Sequence, residues 1–238
     1  MVDALIAEIL EETDAWNNPY LVALRDGSFE REDFLETQVQ FYFAVVFFSR
    51  PMAAVAAKIP SARLRVEILR NVWEEHGEGD QGDTHGSTFL TLLHRLGGIS
   101  SEQVDERALW PEVRQFNTTL TGACVMDEYL VGVGVMGIIE RMFADISAWL
   151  GQGIVERGWL TADQVVHYNL HQQLDVKHAD DFFAVLRPAW ESGGNAERYM
   201  VEQGLRLGAH SFSALFEQLH RARKQRRMRC YLGPHLRT

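Results

Sequence analysis

From Ala4 to Arg229 apolar side chains recur every three or four residues, and no stretch keeps the two-residue alternation of a half-buried strand. Short groups of Gly, Pro, Asn and Ser punctuate that rhythm, as at Asn17-Asn18-Pro19, Ile59-Pro60-Ser61, Gly97-Gly98 and Ser192-Gly193-Gly194-Asn195. A chain built only this way must bury helix against helix. The expected fold class is therefore all-α, a bundle of roughly seven to nine helices. Neither an internal repeat nor a linker divides it, so residues 1–238 are expected to form one domain with a basic tail from about 221.

The punctuation places the elements. A first helix is expected over Ala4–Trp16 and a short second one from Pro19, a residue suited to a first helical turn. Arg31–Lys58 should be helical, with Pro51 kinking or dividing it. Helices over Ala62–His76, Thr84–Leu96 and Trp110–Thr121 follow, with a short one at the Ser100/Gln103 capping box. The most apolar helix is expected over Val125–Leu150. A second capping box, Thr161 with Gln164, should open a helix reaching Trp190, and Ala196–Arg229 should form the last.

Composition excludes several classes. The 23 basic and 33 acidic residues leave a net charge of -10, which gives no general attraction to nucleic acid or anionic lipid. The C-terminal run from Arg221 to Arg229 is the exception, and no recognition fold accompanies it. Two cysteines, Cys124 and Cys230, supply neither a disulfide framework nor a zinc-thiolate motif, which fits a reducing cytoplasm. The N-terminus carries an acid at Asp3 and lacks the basic start of a signal peptide, and Val125–Leu150 is broken by charges, so no membrane span is expected.

Three stretches carry metal-capable chemistry. His171, Asp175 and His178 stand at i, i+4 and i+7, so one helix aims two imidazoles and a carboxylate in one direction. Neighbouring Gln172, Gln173, Lys177 and Asp180 also suit a wet polar face, so spacing leaves both readings open. Glu140 sits in the apolar run Val131–Phe143, where a carboxylate is costly unless paired, with Arg141 or Arg70, or metal-bound. Gly132, Gly134 and Gly137 thin that helix, for a close helix crossing or for a ligand. The third stretch is Trp73-Glu74-Glu75-His76-Gly77-Glu78-Gly79 followed by His85. It reads as an acidic turn, or as a connection folding Glu75 and His85 onto one metal, with Glu78 as the alternative carboxylate. His76, His94, His167 and His210 show no partner pattern and read as structural or exposed. The paired Glu-x-x-His motifs of ferritin-type proteins are missing.

In their order, these motifs resemble the haem-oxygenase-like diiron oxidases and oxygenases, whose fold is shared with TenA and PqqC proteins. The resemblance runs from about Ser28 to Leu219 and rests on Asn71–Gly79 with His85, on Glu140, and on His171-x3-Asp175-x2-His178. It implies that Glu75, His85, Glu140, His171, Asp175 and His178 bind two Fe(II) ions, with Glu75 or Glu140 bridging. It further implies O2 as co-substrate and a catalytic role for Glu75 and Glu140. The substrate would be a small amino-acid-derived molecule, modified by N-oxygenation or oxidative C–C cleavage in specialised biosynthesis. A substrate cavity would be walled by the 34–48 helix, with Gln38, Tyr42, Phe43 and Phe47 as candidates. Arg70 is a candidate for a substrate carboxylate, or balances the local acids. An external electron donor is a candidate partner, and the Val125–Leu150 or C-terminal helix a candidate homodimer surface. A metal-free TenA-like hydrolase and a non-catalytic helical binding protein are the alternatives.

Overall fold

The computed structural model describes residues 1–80, 82 and 84–225. Among these residues no strand occurs, and ten α-helices follow one another. They are α1 (Val2–Thr13), α2 (Pro19–Asp26), α3 (Arg31–Lys58), α4 (Ala62–Glu75), α5 (His85–Gly97), α6 (Ser101–Asp105), α7 (Pro111–Thr121), α8 (Tyr129–Glu156), α9 (Val166–Ser192) and α10 (Asn195–Ala222).

Local chemistry sets most of the starts. The Asn18 side chain accepts from the Tyr20 N–H at 3.0 Å, and Pro19 fills a position whose own N–H would have no helical partner. Ser61 and Thr84 cap α4 and α5 in the same way, and Ser100 with Gln103 completes the capping box of α6.

At four places the structure departs from the sequence-based expectation. α3 is not divided at Pro51 but runs unbroken, because burial of Pro51 and Met52 against the core outweighs one missing hydrogen bond. α8 begins at Tyr129, after a wide π-type turn over Gly122–Met126, and continues past Gly151 and Gly153 to Glu156. Lys58 helps fix that turn by donating to the Asp127 carbonyl, and to those of Cys124 and Val125 at 3.4 Å each. Thr161 and Gln164 do bond reciprocally, at 3.0 and 2.9 Å, but they close an isolated turn, and α9 starts only at Val166. α10 stops at Ala222, with Arg223–Gln225 in a turn, while Arg226, Arg227, Arg229 and Cys230 lie outside the described residues.

α8 forms the axis of the bundle. It is buried almost continuously from Leu130 to Ile146, with α9 and α10 packed along it. The glycines of α8 serve close approach. A Cβ on Gly134 would lie 2.9 Å from the Leu205 nitrogen of α10, and one on Gly137 would lie 2.7 Å from Phe182 Cβ of α9. α3 covers the open side of this core. It is long and apolar enough to cross a membrane by length and composition, yet 61% of its most apolar stretch is buried within the bundle. The result brings the inward faces of α4, α5, α8 and α9 to one point.

Candidate metal centre

Each helix delivers its site residue for a local reason. On α4 the inward stripe is Ile68, Asn71 and Glu75, at i, i+3 and i+7, so Glu75 at the C-terminus is buried. The chain then turns through Gly77 and Gly79, both at positive φ, and re-enters as α5 with His85 as its first residue. That turn places His85 Nδ1 in a hydrogen bond with Glu75 Oε2. Glu78 is exposed, so Glu75 is the carboxylate that faces the site. α8 contributes Glu140, 3% exposed, and α9 contributes His171, Asp175 and His178, each 3% exposed or less.

The six residues converge. One ligand atom each from Glu75, Glu140 and His178 lie within 4.8 Å of one another. A second group within the same limit is His85, His171 and His167. The sequence reading set His167 among the structural or exposed histidines, although it stands four residues before His171 on the same stripe of α9. Its ring is fully buried, and its Nδ1 meets Thr88 Oγ1 at 2.9 Å. The sequence pattern also missed Glu74, whose Oε2 lies 2.7 Å from His178 Nε2 and whose other oxygen meets Lys177 at 3.4 Å.

Burial and like charges dominate the electrostatics of the cluster. Burial, then the neighbouring Asp175 and Glu75, push the Glu140 carboxyl well above the usual carboxylate range. Burial and Glu75 do the same to Asp175. Burial, then neighbouring imidazoles, hold His167 and His171 well below the usual histidine range, so both rings are neutral at pH 7. Neither candidate ion pair for Glu140 forms: Arg141 pairs with Asp145 at 2.9 Å, and Arg70 pairs with Glu67 on the surface. The nearest imidazole nitrogen to Glu140 Oε1 is His178 Nδ1, 3.9 Å away.

The polar bookkeeping tests whether metal fits. Glu140 Oε1, Asp175 Oδ2, His85 Nε2, His171 Nε2 and His178 Nδ1 are all buried without a hydrogen-bond partner. Each such atom costs about 1–3 kcal/mol, so together they rival the whole stability of an ordinary domain. Oxygen and imidazole donors so arranged suit a first-row divalent ion such as iron. Their second nitrogens are held by oxygens, His85 by Glu75, His171 by Asp175 at 2.9 Å and His178 by Glu74, which is how metal-binding histidines are oriented.

Two spaces adjoin the centre. An apolar cavity of about 30 Å³ lies among Phe41, Phe48, Ile139, Phe143 and Phe212, and touches His85 and Glu140. A larger, more polar one of about 230 Å³ is bordered by Tyr42, Ser49, Thr84 and Ser87, and reaches Glu75 and His85. The expected wall is corrected accordingly. Tyr42 borders the larger, polar space, but Phe43 and Phe47 line neither, because α3 turns Phe41, Ala44, Val45 and Phe48 inward instead. Gln38 is not a wall residue. It is fully buried and bridges two tyrosines, accepting from the Tyr168 hydroxyl and donating to Tyr20 Oη at 2.7 Å. Arg70 is not a substrate ligand either: its side chain is 49% exposed on the outer face of α4. Arg70→Ala should therefore leave iron loading unchanged and shift stability by no more than about 0.5 kcal/mol, as read by metal analysis and thermal melting.

The all-helical bundle has the haem-oxygenase-like fold. The chain belongs to the family of iron-containing redox enzymes, whose model matches residues 35–220. It is thus an iron-dependent oxidoreductase. It is 22% identical over 192 residues to a 4-aminobenzoate synthase of Nitrosomonas europaea, covering 76% of each chain. Among solved structures it superposes on a protein of unknown function with a heme oxygenase-like fold from Shewanella denitrificans OS217, with a TM-score of 0.78, 14% identity and 94% of each chain covered. A TenA homologue from P. horikoshii OT3 matches with a TM-score of 0.71 and 13% identity, over 93% of this chain and 99% of that one.

Proposed function

We propose that the chain is a non-haem diiron oxidase or oxygenase that uses O2 to modify a small amino-acid-derived molecule. The observation that carries this reading is the set of buried, partnerless donor atoms on Glu140, Asp175, His85, His171 and His178. Two clusters rather than one suggest two ions, one near Glu75, Glu140 and His178 and one near His85 and His171. Ferrous iron held there supplies electrons and open coordination positions for O2.

The chain's own residues do the rest. The ring of Phe41, Phe48, Phe143 and Phe212 keeps water from one side of the centre, and its cavity of about 30 Å³ suits a diatomic molecule. The space of about 230 Å³ on the other side has the volume and the hydroxyls for a small polar substrate. Tyr42, Ser49 and Ser87 would orient it there, with its reacting atom toward Glu75 and His85. That polarity favours an amino-acid derivative over a fatty acid. The 4-aminobenzoate synthase relative, whose name describes an amino-substituted aromatic acid, adds support for a small amine-bearing molecule.

Anaerobic Fe(II) titration tests the reading. Two ions per chain are expected, each raising the melting temperature by about 5–10 °C at a hundredfold excess over Kd. Consumption of O2 should then depend on substrate. Fewer than one bound iron, or turnover that proceeds without O2, would return the protein to the metal-free hydrolase alternative.

A further inference from the structure

His167 falls outside the six residues that the motif resemblance implies for the centre, yet its surroundings leave one nitrogen with nothing to do. The Thr88 hydroxyl has a single proton, and it donates that proton to the His85 carbonyl at 3.0 Å. With that proton on the carbonyl, the contact of 2.9 Å between Thr88 Oγ1 and His167 Nδ1 is made by an Nδ1–H. A neutral ring protonated on Nδ1 carries a bare lone pair on Nε2. That atom is buried and has no hydrogen-bond partner. Its apolar ring neighbours offer no donor: Phe89 meets the ring edge-on at 4.6 Å, Phe143 lies 6.3 Å away, and the adjacent Tyr168 spends its hydroxyl on Gln38. Its other ring neighbours are His85 and His171, whose centroids lie 5.0 and 4.5 Å from that of His167.

We propose that His167 is a seventh metal ligand, completing a three-imidazole set with His85 and His171 for one of the two ions, with Thr88 as its positioning residue. The inference rests on the iron reading of the centre. Each of the three rings has the same layout, with Nδ1 engaged by an oxygen of Glu75, Thr88 or Asp175 and a buried Nε2 unpaired. An imidazole binds metal in its ring plane, and His167 is turned 44° from the plane of His171 and 25° from that of His85. A third imidazole would leave this ion richer in nitrogen than the one near Glu75 and Glu140. It would favour Fe(II) at the histidine side and make the two ions inequivalent.

The test compares wild type with His167→Phe, an apolar ring for an already aromatic surrounding, and with Thr88→Val. Circular dichroism checks folding, Fe(II) titration reads stoichiometry and affinity, and X-ray absorption on the loaded proteins counts imidazoles. Wild type should bind two ions. His167→Phe should bind one of them about tenfold to a hundredfold more weakly and lose one imidazole from the count, and Thr88→Val should weaken the same ion by a smaller factor. Equal affinity and an equal imidazole count in wild type and a folded His167→Phe would overturn the role of His167 while leaving the iron centre standing. Wild type that binds no iron would overturn the centre and the proposal together. Should His167→Phe fail to fold, unchanged affinity in Thr88→Val would overturn the proposal.

Discussion

The Glu140→Gln variant is expected to lose iron and gain stability at once. The carboxylate is buried on α8 without a hydrogen bond to Oε1, and its neighbours Asp175 and Glu75 are acids. Gln keeps the shape and removes the charge, so loading of the ion near Glu75 and Glu140, and its share of the iron-induced rise in melting temperature, should disappear. The pH dependence gives the sign. Because the folded-state pKa of Glu140 lies well above its ordinary value, the folded metal-free protein holds a proton that the unfolded chain releases. Its contribution is fully present below the ordinary carboxylate pKa and is lost as pH rises toward the folded value. His167 and His171 act oppositely, with folded pKa values below the ordinary one, so they cost stability as pH falls below about 6.5. That cost is common to both proteins and cancels in the difference. The advantage of Glu140→Gln over metal-free wild type should therefore grow with pH, by up to about 1.4 kcal/mol per unit across the window. Urea midpoints of both metal-free proteins from pH 5 to pH 8, about the range in which the fold is soundest, measure it. A wild type that is more stable than the variant throughout would mean that Glu140 has a protein partner and no need of a metal.

The site was legible in the sequence where a single helix fixes geometry by itself. His171, Asp175 and His178 could be grouped from spacing alone, and Glu140 stood out because its cost in an apolar run needs no tertiary information. His167 obeyed the same arithmetic, four residues before His171, but a histidine beside Tyr168 looked like core filling until Thr88 came into contact from α5. Glu74 and Thr88 reach the α9 imidazoles only because the turn after α4 folds back, and no local pattern encodes that. Arg70 shows a different failure. It lies five residues before Glu75, about 140° away around the helix, so the inward stripe of Ile68, Asn71 and Glu75 already turned it outward. On α3 the aromatic residues lie all round the helix, and nothing in the sequence marks which of them face the centre. The fold class followed from periodicity, whereas the ends of α8 and α9 depended on packing: Gly151 and Gly153 fit against Tyr168 and Leu24 and so continue the helix they seemed to end.

Gly204→Ala is expected to destabilise the protein by about 3 kcal/mol, one of the larger effects a single methyl can have. The cause is the crossing of α8 and α10. A Cβ on Gly204 would lie 2.4 Å from the Val131 carbonyl oxygen and 2.9 Å from its Cα, and one on Gly208, a turn later, would lie 2.7 Å from the Val135 carbonyl oxygen. Gly134 faces them from α8, so backbone meets backbone and no flexible side chain can yield. Helix propensity alone would favour Ala over Gly by about 1 kcal/mol, so loss of stability isolates the steric term. Gly122→Ala provides the control. Its Cβ would meet nothing within 4 Å and its backbone is right-handed helical, so that change should be neutral or stabilise by about 0.4–1 kcal/mol. In melting temperature the two variants should separate by about 6–12 °C or more, with Gly204→Ala below wild type. Because Val131 lies about 13 Å along the helix from Glu140, the folded fraction of Gly204→Ala should still load iron. If that variant melted with wild type, the two helices would not cross at van der Waals contact, and the close placement of α8 that presents Glu140 to α9 would need another explanation.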